Sequence, residues 1–141
     1  MTWIVTSMKW IMLASGALTC TMLYATIAPE AALQSTFGDT LQGPAAEIVV
    51  RNWGMLIALM GAMLIYGAFN IGARPLVLTV AGLSKVTFIL LILVFGQSFL
   101  GRQAGVAVVS DLIQVSLFVA YLLSVRGRGV AVRDGAVEAR R

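Results

Sequence analysis

The sequence predicts an all-α membrane protein: a four-transmembrane-helix bundle of N-in/C-in topology, with a short outer-side helix between the first and second spans. Three observations lead there. Of the 141 residues, 60% are hydrophobic and only 11% charged, whereas an ordinary soluble domain carries about 25% charged residues. A water-soluble chain of this size cannot hide so much apolar surface in one small core, so the bilayer is its natural solvent. The apolar residues also fall into four stretches, each near the roughly 20 residues that cross a hydrocarbon layer. Finally, arginines gather at the C-terminal end, which orients the spans. On this basis residues 1–125 form a single transmembrane domain, and 126–141 form a basic cytoplasmic tail expected to be flexible.

The first span runs from about Trp10 to Ala28, behind the hydrophobic lead MTWIVTSMK, with Lys9 and Trp10 at the membrane interface. A cleaved signal peptide is the rival explanation, and ALTC has a faint likeness to a lipoprotein box. Pro29 directly after Ala28, and Thr19 before Cys20, match those signals poorly. A permanent span is therefore expected. The polar insertion PEAALQSTFGDTLQGP, 29–44, predicts a short surface helix and a turn, because proline suits a first helical position at each end and Gly38 suits a stop. The second span continues from Pro44 without a breaker to about Gly72, protruding by a turn or two before it enters the membrane near Trp53. Arg74 and Pro75 make the next turn, the third span covers about Leu76–Leu100, GRQAG reverses the chain, and the fourth covers about Val106–Val125.

Four spans put both termini on one side. The tail carries Arg126, Arg128, Arg133, Arg140 and Arg141, while the loop after the first span has Glu30, Asp39 and Glu47 against Arg51 alone. The positive-inside rule places the tail in the cytoplasm. Lys9 and Arg74 agree, and Arg51 and Arg102 fall outside. The basic balance thus reports topology first and attraction to anionic lipid head groups second. No aromatic residues interleave the tail arginines, so a nucleic-acid partner is not expected.

Composition also narrows the chemistry. The absence of histidine removes the commonest metal and haem ligand and the usual base near neutral pH. Cys20 is the only cysteine, which rules out a disulfide or a CxxC pair within the chain and leaves it as a small apolar packing residue. No cofactor and no metal site are expected.

Helical spacing assigns the inward faces. Glu47, Arg51, Gly54, Ala58, Gly61, Ile65, Ala68 and Gly72 recur at intervals of four and three, forming one stripe of the second helix. Gly54, Ala58, Gly61, Ala68 and Gly72 would let a neighbouring backbone approach closely, the usual means of helix association in lipid. At the outer end of the stripe Glu47 precedes Arg51 by four residues, the favourable order for a helical ion pair. In the fourth span Ala107, Asp111, Gln114, Phe118 and Tyr121 share a face, so an acid, an amide and a phenol point inward together. Exposing Asp111 to lipid would cost roughly 2.5–3.5 kcal/mol, so it requires a partner.

Lys85, in the apolar run LSKVTFILLILVFG, supplies a candidate. It lies about nine residues, or about 13 Å, from the inner end of its helix, and Asp111 lies about 8–10 Å below the outer surface. In a hydrocarbon layer about 30 Å thick these levels differ by less than about 10 Å, which a lysine side chain largely spans. Lys85, Asp111 and Arg51 are therefore expected to form one buried cluster with Glu47, Gln114 and Tyr121 nearby. Such charge either fixes helix register or serves transport, proton transfer or ligand capture. Ser110 and Ser116 have no histidine base, and AGLSK is not a phosphate loop.

The order APE, FG, RNWG, then a lone lysine in the third span and an aspartate early in the fourth, resembles small four-helix bacterial membrane proteins of the DoxX-like kind. The likeness covers most of the chain, with Arg51, Gly54, Lys85 and Asp111 as matching positions. It implies this fold and topology and a place in the bacterial inner membrane. DoxX itself is described as the small subunit of a quinone-linked oxidoreductase; no functional motif carries over.

The expected role is a non-catalytic accessory or structural subunit of a membrane complex, whose partners are the lipid bilayer and other membrane-protein subunits or further copies of itself. The alternative is a membrane-embedded enzyme or transporter-like module acting on a quinone, lipid or small solute through the Arg/Lys/Asp cluster.

Overall fold

The computed structural model describes residues 2–138, with side chains described from 3 to 127. Every regular element among the described residues is helical. Helix α1, Thr2–Cys20, takes in the N-terminal lead, because nothing in TWIVTSMK breaks a helix and Met8 is fully buried. At Thr21 and Met22 the backbone N–H groups bond three residues back, to Leu18 and Thr19 at 3.2 Å each, and the Thr21 hydroxyl also donates to Leu18 O at 2.6 Å. This tighter bonding interrupts the α-helical ladder before α2, Leu23–Ile27.

Helix α3, Pro29–Phe37, follows its sequence signals closely. Pro29 has no N–H to waste at the first helical position. At the other end Gly38 takes a left-handed φ of 72°, open to glycine without steric cost, and its N–H donates to Gln34 O. The second long helix, α4, spans Pro44–Phe69, α5 spans Arg74–Phe95 and α6 spans Gln103–Glu138.

Boundaries differ from expectation where single residues end a helix. Helix α4 stops three residues before Gly72 because Asn70 is extended and its side-chain amide closes on Tyr66 O at 3.1 Å. Helix α5 stops before Leu100 at Gly96, after which Gln97–Phe99 forms a 3-10 turn. Residues 126–138 continue α6; the expected tail's side chains from 128 onward, and residues 139–141, lie outside the described residues.

Among the described residues four helical segments are long and apolar enough to cross a membrane: Trp3–Ile27, Pro44–Phe69, Ile71–Phe95 and Gln103–Gly127. Their main contacts run α1 to α4, α4 to α5, α5 to α6 and α6 to α1, a closed ring of antiparallel neighbours. The start of α1, the far end of α6 and the α4–α5 turn share one end of the bundle, hereafter the terminal end. Helix α3 and the α5–α6 turn share the other, the loop end.

Among the described residues two apolar clusters pack inside the ring. Near the terminal end all four long helices contribute, with Met8 and Met12, Leu64 and Ala68, Val77 and Leu78, and Phe118 and Tyr121. Near the loop end Ile89, Ile92, Ala104 and Val108 meet Phe37 of α3, whose ring also packs edge-on to Phe99 at 5.3 Å and tilted to Trp53 at 6.0 Å. Polar groups occupy the band between the clusters.

The α1–α4 contact is a backbone seam. A β-carbon on Gly61 would lie 2.7 Å from both Gly16 O and Cys20 N, and one on Gly54 would lie 2.8 Å from Thr26 N. Dispersion between closely approaching backbones replaces the hydrophobic drive that lipid does not supply. Ala58 and Ala68 are buried on the same stripe. Gly72 leaves it: beyond the end of α4 it has nothing within 4 Å of a β-carbon. Cys20 packs in the seam, its thiol 3.5 Å from Ala58 O.

Candidate functional site

Lys85 Nζ pairs directly with Asp111 Oδ1, joining α5 to α6. The two side chains are 11% and 14% exposed, so each charge lies largely out of solvent with the other as its partner. One turn further along α6, Gln114 is buried and reaches across to α1, accepting a bond from Ser15 Oγ with its Oε1. Its Nε2 donates back to Ser110 Oγ at 2.9 Å. Helix α6 thus presents two adjacent polar positions to two different neighbours: an ion pair to α5 and a hydrogen-bonded amide to α1.

Arg51 does not join them. Its Nε and Nη2 donate to Glu47 Oε1 at 3.0 and 2.6 Å, and Nη1 donates to Thr26 O at 2.6 Å and Ile27 O at 3.4 Å. The reason is local. The chain bends at Ala28 between α2 and α3, so the last carbonyls of the first span lose their usual donors four residues on, and the guanidinium fills that gap. The Thr26 hydroxyl returns a bond to Arg51 O at 3.0 Å. The Glu47–Arg51 part is half exposed and, as an i,i+4 pair, contributes only about 0.3–0.5 kcal/mol.

The expected single cluster is therefore divided. Lys85, Asp111 and Gln114 share the mid-bundle band; Glu47 and Arg51 lie at the loop end, lining a cleft of about 790 Å³ beside α3; and Tyr121 packs into the apolar cluster of the terminal half. Depth alone put Arg51 within reach of Asp111, but the open carbonyls of the first span are nearer.

Two side chains with structural roles were not among the site residues expected from the sequence. Arg74 is buried, with Nε donating to Gly67 O at 3.0 Å and Nη2 to Ala68 O at 2.7 Å, so it caps α4 instead of merely marking a turn. A basic residue just past a helix C-terminus was the available signal. Ser15 had none, since a hydroxyl within a span commonly bonds its own i−4 carbonyl, as Thr79, Thr87, Ser116 and Ser124 do here.

Ser15 and Gln114 form the floor of a furrow of about 310 Å³ between α1 and α6, walled by Ile11, Leu18, Ile113 and Leu117. The seam draws α1 toward α4, and the hydrogen bond is a specific link between α1 and α6 across the looser contact. Fold and site together define a small membrane-embedded four-helix protein whose mid-bundle band, among the described residues, carries the Lys85–Asp111 ion pair and the Ser15–Gln114 bridge. No protein-family model matches the chain, and no curated protein or solved structure does either.

Proposed function

We propose that the chain is a multi-pass protein of the bacterial inner membrane, with both termini in the cytoplasm, serving as a non-catalytic accessory or structural subunit of a larger membrane complex. The observation that carries this is the mutual satisfaction of the polar groups in the bundle. Lys85 meets Asp111, Ser15 meets Gln114, and no buried side-chain nitrogen or oxygen among the described residues lacks a partner. A closed pair of this kind specifies helix register and leaves no charge waiting for a ligand. The terminal-side arginines support the orientation, through the positive-inside rule. The DoxX-like pattern of residues supports the bacterial inner membrane.

A catalytic or transporting module acting through Arg51, Lys85 and Asp111 needs those groups to converge on one ligand, and Arg51 is engaged elsewhere. Purification of the full chain from its native membrane in mild detergent tests the proposal. Co-elution with other membrane proteins at fixed stoichiometry is the expected result. A chain that purifies alone and retains an equimolar quinone, lipid or solute, lost in the Lys85→Met/Asp111→Leu double variant, would overturn it.

A further inference from the structure

Lys9 occupies an unusual setting at the terminal end. Its ammonium lies 4.7 Å from the centroid of the Phe69 ring and 5.9 Å from that of Trp10, so the charge is held between the first span and the last residue of α4. Both rings are largely exposed, Trp10 at 70% and Phe69 at 63%, as is Tyr66, about one turn before Phe69 on α4, at 59%. Trp and Tyr side chains near the end of a spanning helix favour the head-group level.

Among the described residues no acid pairs with the cation. The ion pairs among the described residues are Glu47–Arg51 and Lys85–Asp111. Through residue 127 every other carboxylate, Glu30 and Asp39, lies on the loop-end side of the chain. Nor does Lys9 cap α4. Three of that helix's last four carbonyls are occupied by other groups: Tyr66 O by the Asn70 amide, and Gly67 O and Ala68 O by Arg74. An ammonium fixed over two rings keeps its N–H donors for an outside acceptor, and desolvation by the rings raises the value of that contact.

We infer that Lys9, Trp10 and Phe69 form a binding site for the phosphate of an anionic phospholipid at the terminal-end interface. The acceptor is anionic, because the site is cationic and no described acid pairs with Lys9. It must also carry acyl chains, because the rings beside the ammonium face the apolar surroundings. A lipid phosphodiester meets both conditions. The inference rests only on membrane embedding; it holds whichever side the termini face, and does not depend on the accessory-subunit proposal.

The test uses the full chain, delipidated in neutral detergent and titrated with phosphatidylglycerol or phosphatidylcholine, with binding followed by thermal stabilisation and native mass spectrometry. Phosphatidylglycerol is expected to bind in preference. Lys9→Gln should weaken it about fivefold, the equivalent of about 1 kcal/mol for one surface lysine. Phe69→Leu, which keeps the charge and removes a ring, should weaken it about twofold or more. Arg126→Gln, at the same end but outside the aromatic setting, should change it less than twofold. Equal losses in Lys9→Gln and Arg126→Gln would show diffuse surface attraction and overturn the site. Stabilisation by inorganic phosphate alone, at the same concentrations as lipid, would overturn the assignment to a lipid.

Discussion

Replacing Lys85 and Asp111 singly and together separates an interacting pair from two independent residues. In Lys85→Met the carboxylate loses its counter-charge, and in Asp111→Leu the ammonium does; both orphans stay in an environment about nine-tenths closed to solvent. Breaking a buried pair on one side typically costs about 3–5 kcal/mol. Here the small remaining exposure, and the freedom of a lysine to move along its helix toward the interface, lower the expectation to about 2–3 kcal/mol for each single variant. The double variant leaves two apolar groups of similar size facing each other across the α5–α6 contact, a change that is often near neutral, so about 1 kcal/mol or less is expected. The assay is equilibrium unfolding in mixed micelles, with helical content as the readout. A coupling free energy of about 3 kcal/mol or more between the two positions follows from the pairing. Losses that add to within about 0.5 kcal/mol would refute it, since additivity is the behaviour of sites without a shared partner. Assembly of the host complex then divides structure from function: a double variant that folds and assembles identifies a register-fixing pair, and one that folds without supporting activity identifies a site.

Three further outcomes are expected. Gly61→Leu should lower the melting temperature in detergent far more than Leu59→Ala, because a β-carbon at 61 meets Gly16 O and Cys20 N at 2.7 Å while Leu59 is 49% exposed and lipid replaces its contacts; Gly54→Leu should follow Gly61→Leu, Gly72→Leu should be nearly silent, and equal losses at 59 and 61 would remove the seam. Arg74→Gln should cost about 2–3 kcal/mol in the same unfolding assay, since two charge-assisted bonds to the end of α4 are lost, and a change under about 0.5 kcal/mol would deny it a capping role. In intact cells an impermeant thiol reagent, used in a Cys20→Ser background, should label Ser35→Cys and spare Gly135→Cys; the opposite pattern would invert the proposed orientation.

The sequence by itself determined the features that depend on neighbours along the chain. Hydropathy and length set four spans, Pro29 and Gly38 bounded α3, Pro44 opened α4, and the spacing of Gly54, Ala58 and Gly61 marked a face for close packing. The cost of an unpartnered carboxylate in lipid also required a partner for Asp111, and the depth of Lys85 made it the candidate. Only the tertiary structure decided how those pieces meet. Hydropathy cannot say which helix borders which, because a lipid tail and a leucine on the next helix are equally apolar. The ring order follows from shape, with the glycine seam placing α1 on α4 and leaving α6 to be held by Ser15 and Gln114. Likewise, Arg51 turned to the open carbonyls of Thr26 and Ile27, and Arg74 to those of Gly67 and Ala68, because unsatisfied backbone groups appear only where the folded chain bends or stops. Local pattern says that a polar group needs a partner; the geometry of the folded chain selects which one it finds.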